Sequence, residues 1–220
     1  MTTTSKTRIP SAQSPEEPPI YVYHNGVAQD ILGPGKRLLV WTSGCPFRCP
    51  GCIEPKLQEL VAGEAWNTDE YRQAIEPTVN ILRRITFSGG EPLFQAQAIL
   101  RLISGFSYRP EIMLFTGYEA QEALNKFPQV LEKVDILVAG PFLEDRTGSF
   151  LWRGSSNQEI ISPSGRFAAS ELDAWMQSPS AGIQVHFRNA GFYVYGIPAK
   201  GSLEALQSRL HAQQIELNAT

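Results

Sequence analysis

Ile85-Thr-Phe-Ser-Gly-Gly-Glu-Pro-Leu-Phe94 passes from a short apolar run through a double glycine to the start of a helix, and this order of parts decides the fold class. Ile85–Ser88 reads as a strand, and a helix is predicted over about Phe94–Ile103. The alternation continues beyond it. Ile112–Thr116 reads as a strand, a helix is expected near Glu119–Lys126, and Val134–Ala139 is a continuous apolar run of the buried, parallel kind. On the N-terminal side, Ile20–Tyr23 and Leu38–Trp41 read as strands, separated by turns at Asn25-Gly26 and Gly33-Pro34-Gly35. Lys56–Ala62 and Asp69–Arg84 have helical content, with Pro77 expected to end or kink the second. Phe142–Gln158 is loop-like. Strands alternating with helices imply parallel β-α units and the α/β class.

The 220 residues suffice for one sizeable core. Met1–Pro19 is rich in Ser, Thr, Pro and Glu and is expected to form a flexible tail, residues 1–19. The main α/β domain is expected over 20–178. An appended element follows over 179–220: a hairpin of Ile183–Phe187 and Phe192–Gly196 around Asn189-Ala190-Gly191, then a helix capped by Ser202 with Leu203, Leu206 and Leu210 on one face.

Hydrophobic residues make up 42% of the chain, charged residues 19%, and the formal net charge is −3. Nucleic acid and anionic membranes select a basic face, so neither is expected as a partner. The polar N-terminus has no apolar core of a secretory signal, and no apolar run approaches the ~20 residues of a membrane helix. All three cysteines fall between Cys45 and Cys52. An odd count in one loop is no disulfide framework, and it implies a metal site or thiol cluster in a reducing, cytoplasmic setting.

The loop reads Cys45-Pro-Phe-Arg-Cys49-Pro-Gly-Cys52. Cubic iron–sulfur clusters are held by thiolates, and three on one wrapped loop suit three corners of a cube. Pro46 and Pro50 stiffen the loop, Gly51 permits an unusual φ, and Phe47 is placed to shield one face. With no fourth cysteine in the chain, one iron is left open or takes another ligand, and open metal positions mark catalysis rather than structure. A structural zinc site of three cysteines and a distant histidine (His24, His186 or His211) is the competing reading.

Trp41-Thr-Ser-Gly-Cys-Pro-Phe-Arg-Cys-Pro-Gly-Cys52 resembles the cluster loop of the radical S-adenosylmethionine superfamily. Within it, the chain is similar to the glycyl-radical activating enzymes, especially the activators of anaerobic ribonucleotide reductase. Gly33–Arg37, Thr116-Gly117-Tyr118 and Arg153–Gln158 extend the likeness. The resemblance implies a [4Fe–4S] cluster on Cys45, Cys49 and Cys52, with S-adenosylmethionine as second cofactor. It places the amino group of S-adenosylmethionine on Gly89, Gly90, Glu91 and Pro92, with Thr116, Ser156 and Asn157 as further contacts. It assigns no catalytic residue beyond the cluster ligands. It implies an incomplete β/α barrel of about six parallel strands, since a full barrel takes ~250 residues. The implied reaction is reductive cleavage of S-adenosylmethionine to a 5′-deoxyadenosyl radical, which takes a hydrogen from a glycine of a partner enzyme. Flavodoxin or ferredoxin is the implied electron donor. Ala139-Gly140-Pro141 carries neither the acidic nor the basic residue usual there in such activators. This leaves open a maturase acting on another peptide or small molecule, and, in a different class, a non-catalytic metal-binding module.

Overall fold

A computed structural model describes residues 18–180, 182–188, 191–198 and 201–211. The expected tail over 1–17, the Asn189-Ala190 turn and the Leu203 and Leu210 side chains lie outside the described residues. Pro18, inside the expected tail, accepts a hydrogen bond through its carbonyl from Thr68 Oγ1 at 2.9 Å.

In chain order the elements are β1 (Ile20–Gln29), β2 (Lys36–Thr42), β3 (Glu64–Trp66), α1 (Thr68–Leu82), β4 (Arg84–Gly89), α2 (Ala96–Ser104), β5 (Glu111–Thr116), α3 (Ala120–Lys126), α4 (Pro128–Leu131), β6 (Ile136–Ala139), β7 (Thr147–Phe150), β8 (Arg153–Ser155), β9 (Glu159–Ile161), α5 (Ala169–Gln177), β10 (Ile183–Arg188), β11 (Gly191–Gly196) and α6 (Ser202–His211). Short 3-10 turns cover Pro55–Gln58, Leu60–Ala62 and Pro92–Gln95.

The fold is α/β, built on a seven-stranded sheet in the order β3-β1-β2-β4-β5-β6-β9. The sheet is mixed. β2, β4, β5 and β6 are parallel to one another, whereas β1 pairs antiparallel with both β2 and β3, and β9 pairs antiparallel with β6. Four adjacent strands, rather than about six, form the parallel part of the sheet; β3 points the same way but pairs only with the oppositely directed β1. The first connection is a hairpin through Gly33 and Gly35, both at positive φ. The last, β6 to β9, also returns antiparallel.

The central strands are apolar on both faces because both faces are covered. Leu38, Val40, Ile85, Phe87, Ile112, Leu114, Leu137 and Ala139 alternate onto the face packed by α1 and α2. Leu39, Trp41, Met113, Phe115, Ile136 and Val138 occupy the other face, under β11, Trp152, Ile160 and α5. In α1, Asn67 caps the N-terminus by accepting from the N–H groups of Asp69 and Glu70. Tyr71, Ile75 and Val79 recur four apart as its buried stripe.

Local readings change in places. Asn25-Gly26 is no turn: β1 runs through it, with a register irregularity between Val22 and His24. Pro77 does not end α1, which continues to a left-handed Arg83. The helix expected from Phe94 begins as a 3-10 turn at Pro92. Phe142–Gln158 holds the β7–β8 hairpin as well as loop. The hairpin of β10 and β11 forms in the expected place, Ile183 opposite Gly196. Among the described residues, no helix is long and apolar enough to cross a membrane.

Candidate active site

The carboxyl ends of the parallel strands open onto a cavity of about 600 Å³. Such an edge is where open α/β sheets bind ligands, because strand-end backbone groups and loops converge there. Cys45, Cys49 and Cys52 line it together with Ser88–Glu91, Phe115–Gly117, Gly140, Gly154 and Gln158.

The cysteine loop leaves β2 through Ser43 and Gly44 and is held by main-chain bonds. Gly44 N donates to Leu57 O at 2.8 Å, Cys45 N to Gln58 O at 3.0 Å and Cys52 N to Cys49 O at 3.2 Å. Three residues at positive φ, Gly44, Arg48 and Gly51, fold it back on itself. At Gly51 this is the conformation that a side chain resists. The Phe47 ring lies edge-on to Tyr118, centroids 4.8 Å apart, and fills the space that a Cβ at Gly117 would need. Phe47 thereby ties the cysteine loop to the end of β5.

All three thiols are free and half-buried. Burial pushes the Cys45 thiol up, against hydrogen bonds from the Phe47 and Arg48 backbone that favour its charged form. Among the described residues, no three His, Cys, Asp or Glu side chains converge closely enough to hold one metal ion. The three thiols nevertheless line one cavity from a single wrapped loop, and a cubic cluster takes one thiolate per iron. His24 and His186 are taken up in an aromatic stack with Tyr195. A [4Fe–4S] group therefore fits the donor set.

Gly89 and Gly90 end β4 directly beside this loop. Gly90 N donates to Thr42 O at 2.8 Å and Glu91 N to Gly44 O at 2.9 Å. A Cβ on Gly90 would lie 2.6 Å from Gly44 O and 2.8 Å from Leu57 O. Glycine is needed here because the cysteine loop passes against its backbone. Glu91 is 1% exposed. Its carboxylate accepts from Leu93 N at 2.8 Å, Thr116 Oγ1 at 2.9 Å and Gly117 N at 2.7 Å. Burial lifts it to about 7 while those three donors pull the other way. Its side chain thus braces the end of β5 against the start of the Pro92–Gln95 turn. Thr116 Oγ1 is likewise engaged, donating to Glu91 and accepting from Tyr118 N. Pro92 is buried at the first turn.

Arg153–Gln158 closes on itself and on β6. Gln158 accepts from Gly154 N and donates to Gly140 O, and Asn157 Nδ2 donates to Pro141 O at 2.8 Å. Gln158 and Gly154 reach the cavity, whereas Ser156 is exposed and neither it nor Asn157 belongs to the lining. Asn157 Oδ1 is buried without a partner in the described structure. Sequence reasoning missed Trp41, Glu54, Phe142 and Glu144 on the wall, and also Val194, Gly196, Ile197, Pro198 and Gly201. Glu54 follows Cys52 by two residues, and its burial raises the carboxyl. Nothing local marks the residues after 190.

Residues 31–161 match the model of the 4Fe-4S single cluster domain family. The chain belongs to this family. It is 33% identical over 149 residues to the anaerobic ribonucleoside-triphosphate reductase-activating protein of Salmonella typhimurium, covering 63% of this chain and 96% of that relative. The protein of the same name from Escherichia coli K12 is 32% identical over 148 residues, with the same two shares. That of Enterobacteria phage T4 is 29% identical over 138 residues, 60% of this chain and 87% of the relative. The family match contains the cysteine loop, Gly89–Pro92 and Thr116–Tyr118, and stops before β10 and β11. The family and these relatives bear out the likeness to the activating group of radical S-adenosylmethionine enzymes.

Proposed function

We propose that the chain cleaves S-adenosylmethionine reductively and delivers the resulting radical to a glycine of a partner enzyme, as an activator related to those of anaerobic ribonucleotide reductase. The observation that carries this is the gathering of three free thiols and the Gly89-Gly90 strand end on one cavity, from segments about 40 residues apart in sequence.

Cys45, Cys49 and Cys52 would hold the [4Fe–4S] cluster, and with three thiolates for four irons one position would be left for S-adenosylmethionine. When bound, the cluster supplies the electron that splits the sulfonium into methionine and a 5′-deoxyadenosyl radical. Gly89 and Gly90 let a ligand lie against main chain. Glu91 and Thr116 position the loop at the end of β5, with Pro92 setting the turn behind it. Ser156 and Asn157 act through the loop that clamps Gly140 and Pro141. Phe47, Trp41 and Phe142 exclude water from the cavity.

Residues 20–178 are the domain that carries the cluster loop, with 179–220 packed on the same domain. The parallel strands serve as part of an incomplete barrel whose open side admits a peptide loop. A flavodoxin or ferredoxin in the cytoplasm supplies the electron.

The test is anaerobic reconstitution with iron and sulfide, then dithionite and S-adenosylmethionine, with 5′-deoxyadenosine as the assayed product. Cys45→Ala, Cys49→Ala and Cys52→Ala are each expected to lose the cluster absorbance and the product. A reconstituted wild-type chain that forms no 5′-deoxyadenosine refutes the reading.

A further inference from the structure

The matched family domain ends at residue 161, yet the cavity is closed in part by residues beyond it. Val194, Gly196, Ile197, Pro198 and Gly201 line it together with the three cysteines and Gly90. We propose that the C-terminal hairpin is part of the cofactor site, with Val194, Ile197 and Pro198 as an apolar wall against bound S-adenosylmethionine. This inference rests on the reading given under Proposed function.

The hairpin is a separate two-stranded sheet docked on the face of the main sheet by specific side-chain packing. Tyr195 is 2% exposed, and its hydroxyl sits 2.9 Å from Nε2 of His24 on β1. Its ring packs on Trp41 at 4.9 Å between centroids, and Trp41 is itself a wall of the cavity. On β1, Gly26 lies beneath the Tyr195 ring, where a Cβ would collide with the hydroxyl. His24 stacks on Tyr193 with centroids 4.2 Å apart and planes within 2°. Gln184 Oε1 accepts from Gln29 N at 3.1 Å. The strand β1 thus carries a glycine and a histidine fitted to residues some 170 positions later.

This docking aims the chain after β11. Gly196 adopts φ +119°, and a Cβ there would meet Gly182 O at 2.6 Å and Ile31 Cγ2 at 2.7 Å. The bend turns Ile197 and Pro198 to the cavity. Ile197, Trp41 and Phe115 pack against one apolar cluster that contains Leu32, and all four line the cavity, so hairpin packing and cavity wall share residues. Ligand sites of this volume are mostly apolar, with few polar groups, and enclose most of their ligand's surface. Here the polar groups come from the cysteine loop and strand ends, and the hairpin contributes apolar surface. A nucleoside held at Gly90 in a cavity of about 600 Å³ touches both.

The test is hydrogen–deuterium exchange on the full reconstituted chain with its cluster left oxidised, so that no turnover occurs, with and without S-adenosylmethionine. Exchange is expected to slow at least five-fold at Val194–Ile197 as well as at Ser88–Glu91. Slowing at Ser88–Glu91 alone overturns the hairpin's role and leaves the cofactor reading standing. Slowing at neither segment counts against both. Ile197→Asp, in a variant with wild-type iron content, is expected to raise the Kd for S-adenosylmethionine at least ten-fold, and an unchanged Kd also overturns the proposal.

Discussion

Replacing Gly90 with alanine adds one methyl group at the point where β4 meets the cysteine loop. Gly90 has no positive φ, so the cost is contact rather than backbone strain. The new Cβ would lie 2.6 Å from Gly44 O and 2.8 Å from Leu57 O, against ordinary contacts beyond 3.4 Å. Both neighbours are main chain and cannot rotate away. Relief requires a shift approaching 1 Å of Gly44–Cys45 or of Leu57, and Gly44 N is bonded to Leu57 O. Inserting a methyl into such packing costs about 1–3 kcal/mol. Urea unfolding of the cluster-free chain is expected to show that loss, and reconstitution to yield less iron per chain, because the displaced segment carries Cys45. A variant within about 0.3 kcal/mol of wild type and with full iron content would refute the claim that the two segments are in contact.

Glu91→Gln tests the buried carboxylate. Burial lifts Glu91 from 4.5 to about 7, so the folded chain holds a proton that the unfolded chain releases. Its contribution to stability is complete below pH 4.5 and falls as pH rises to 7, by about 3 kcal/mol at 1.36 kcal/mol per unit. Unfolding of the cluster-free chain across that window is expected to lose this slope in the glutamine variant, and equal slopes would refute the assignment. Arg37→Ala leaves Glu111 without its closest cation and removes the donors to Thr86 Oγ1, Ile85 O and Pro34 O. Breaking such a buried pair costs about 3–5 kcal/mol, and the low end is expected because Arg84 remains 3.7 Å from Glu111. A loss below 1 kcal/mol in denaturant unfolding would contradict it.

What could be read in the chain follows from the range of the forces involved. β2, β4, β5 and β6 are buried on both faces, so their apolar runs announce them without help from elsewhere. β3 and β9 are three residues each and exist because a neighbouring strand pairs with them. Gly26 looked like a turn because glycine after asparagine usually is one, whereas here it clears space for a tyrosine 169 residues away. The cysteines were legible because few chemistries want three thiols in eight residues, and Gly89-Gly90 because a double glycine at a strand end has few other uses. Glu91 was placed in the site, but its carboxylate points into the fold, and its bonds to Thr116 and Gly117 span 25 and 26 residues. The hairpin's share of the cavity depends on tertiary docking, so no short-range pattern announces it.

The cysteine loop has no strand partner of its own and hangs on a few main-chain bonds from Gly44, Cys45, Gly90 and Glu91 to neighbouring turns. Side-chain contacts add to these bonds: Phe47 packs on Tyr118, Ser43 Oγ donates to Leu60 O and Arg48 pairs with Glu59. Local opening is expected first between Pro46 and Ala62, where short turns replace strand pairing, before the sheet behind it opens. The sheet behind the loop is held by its own strand pairing and apolar core, so its integrity does not depend on the metal site.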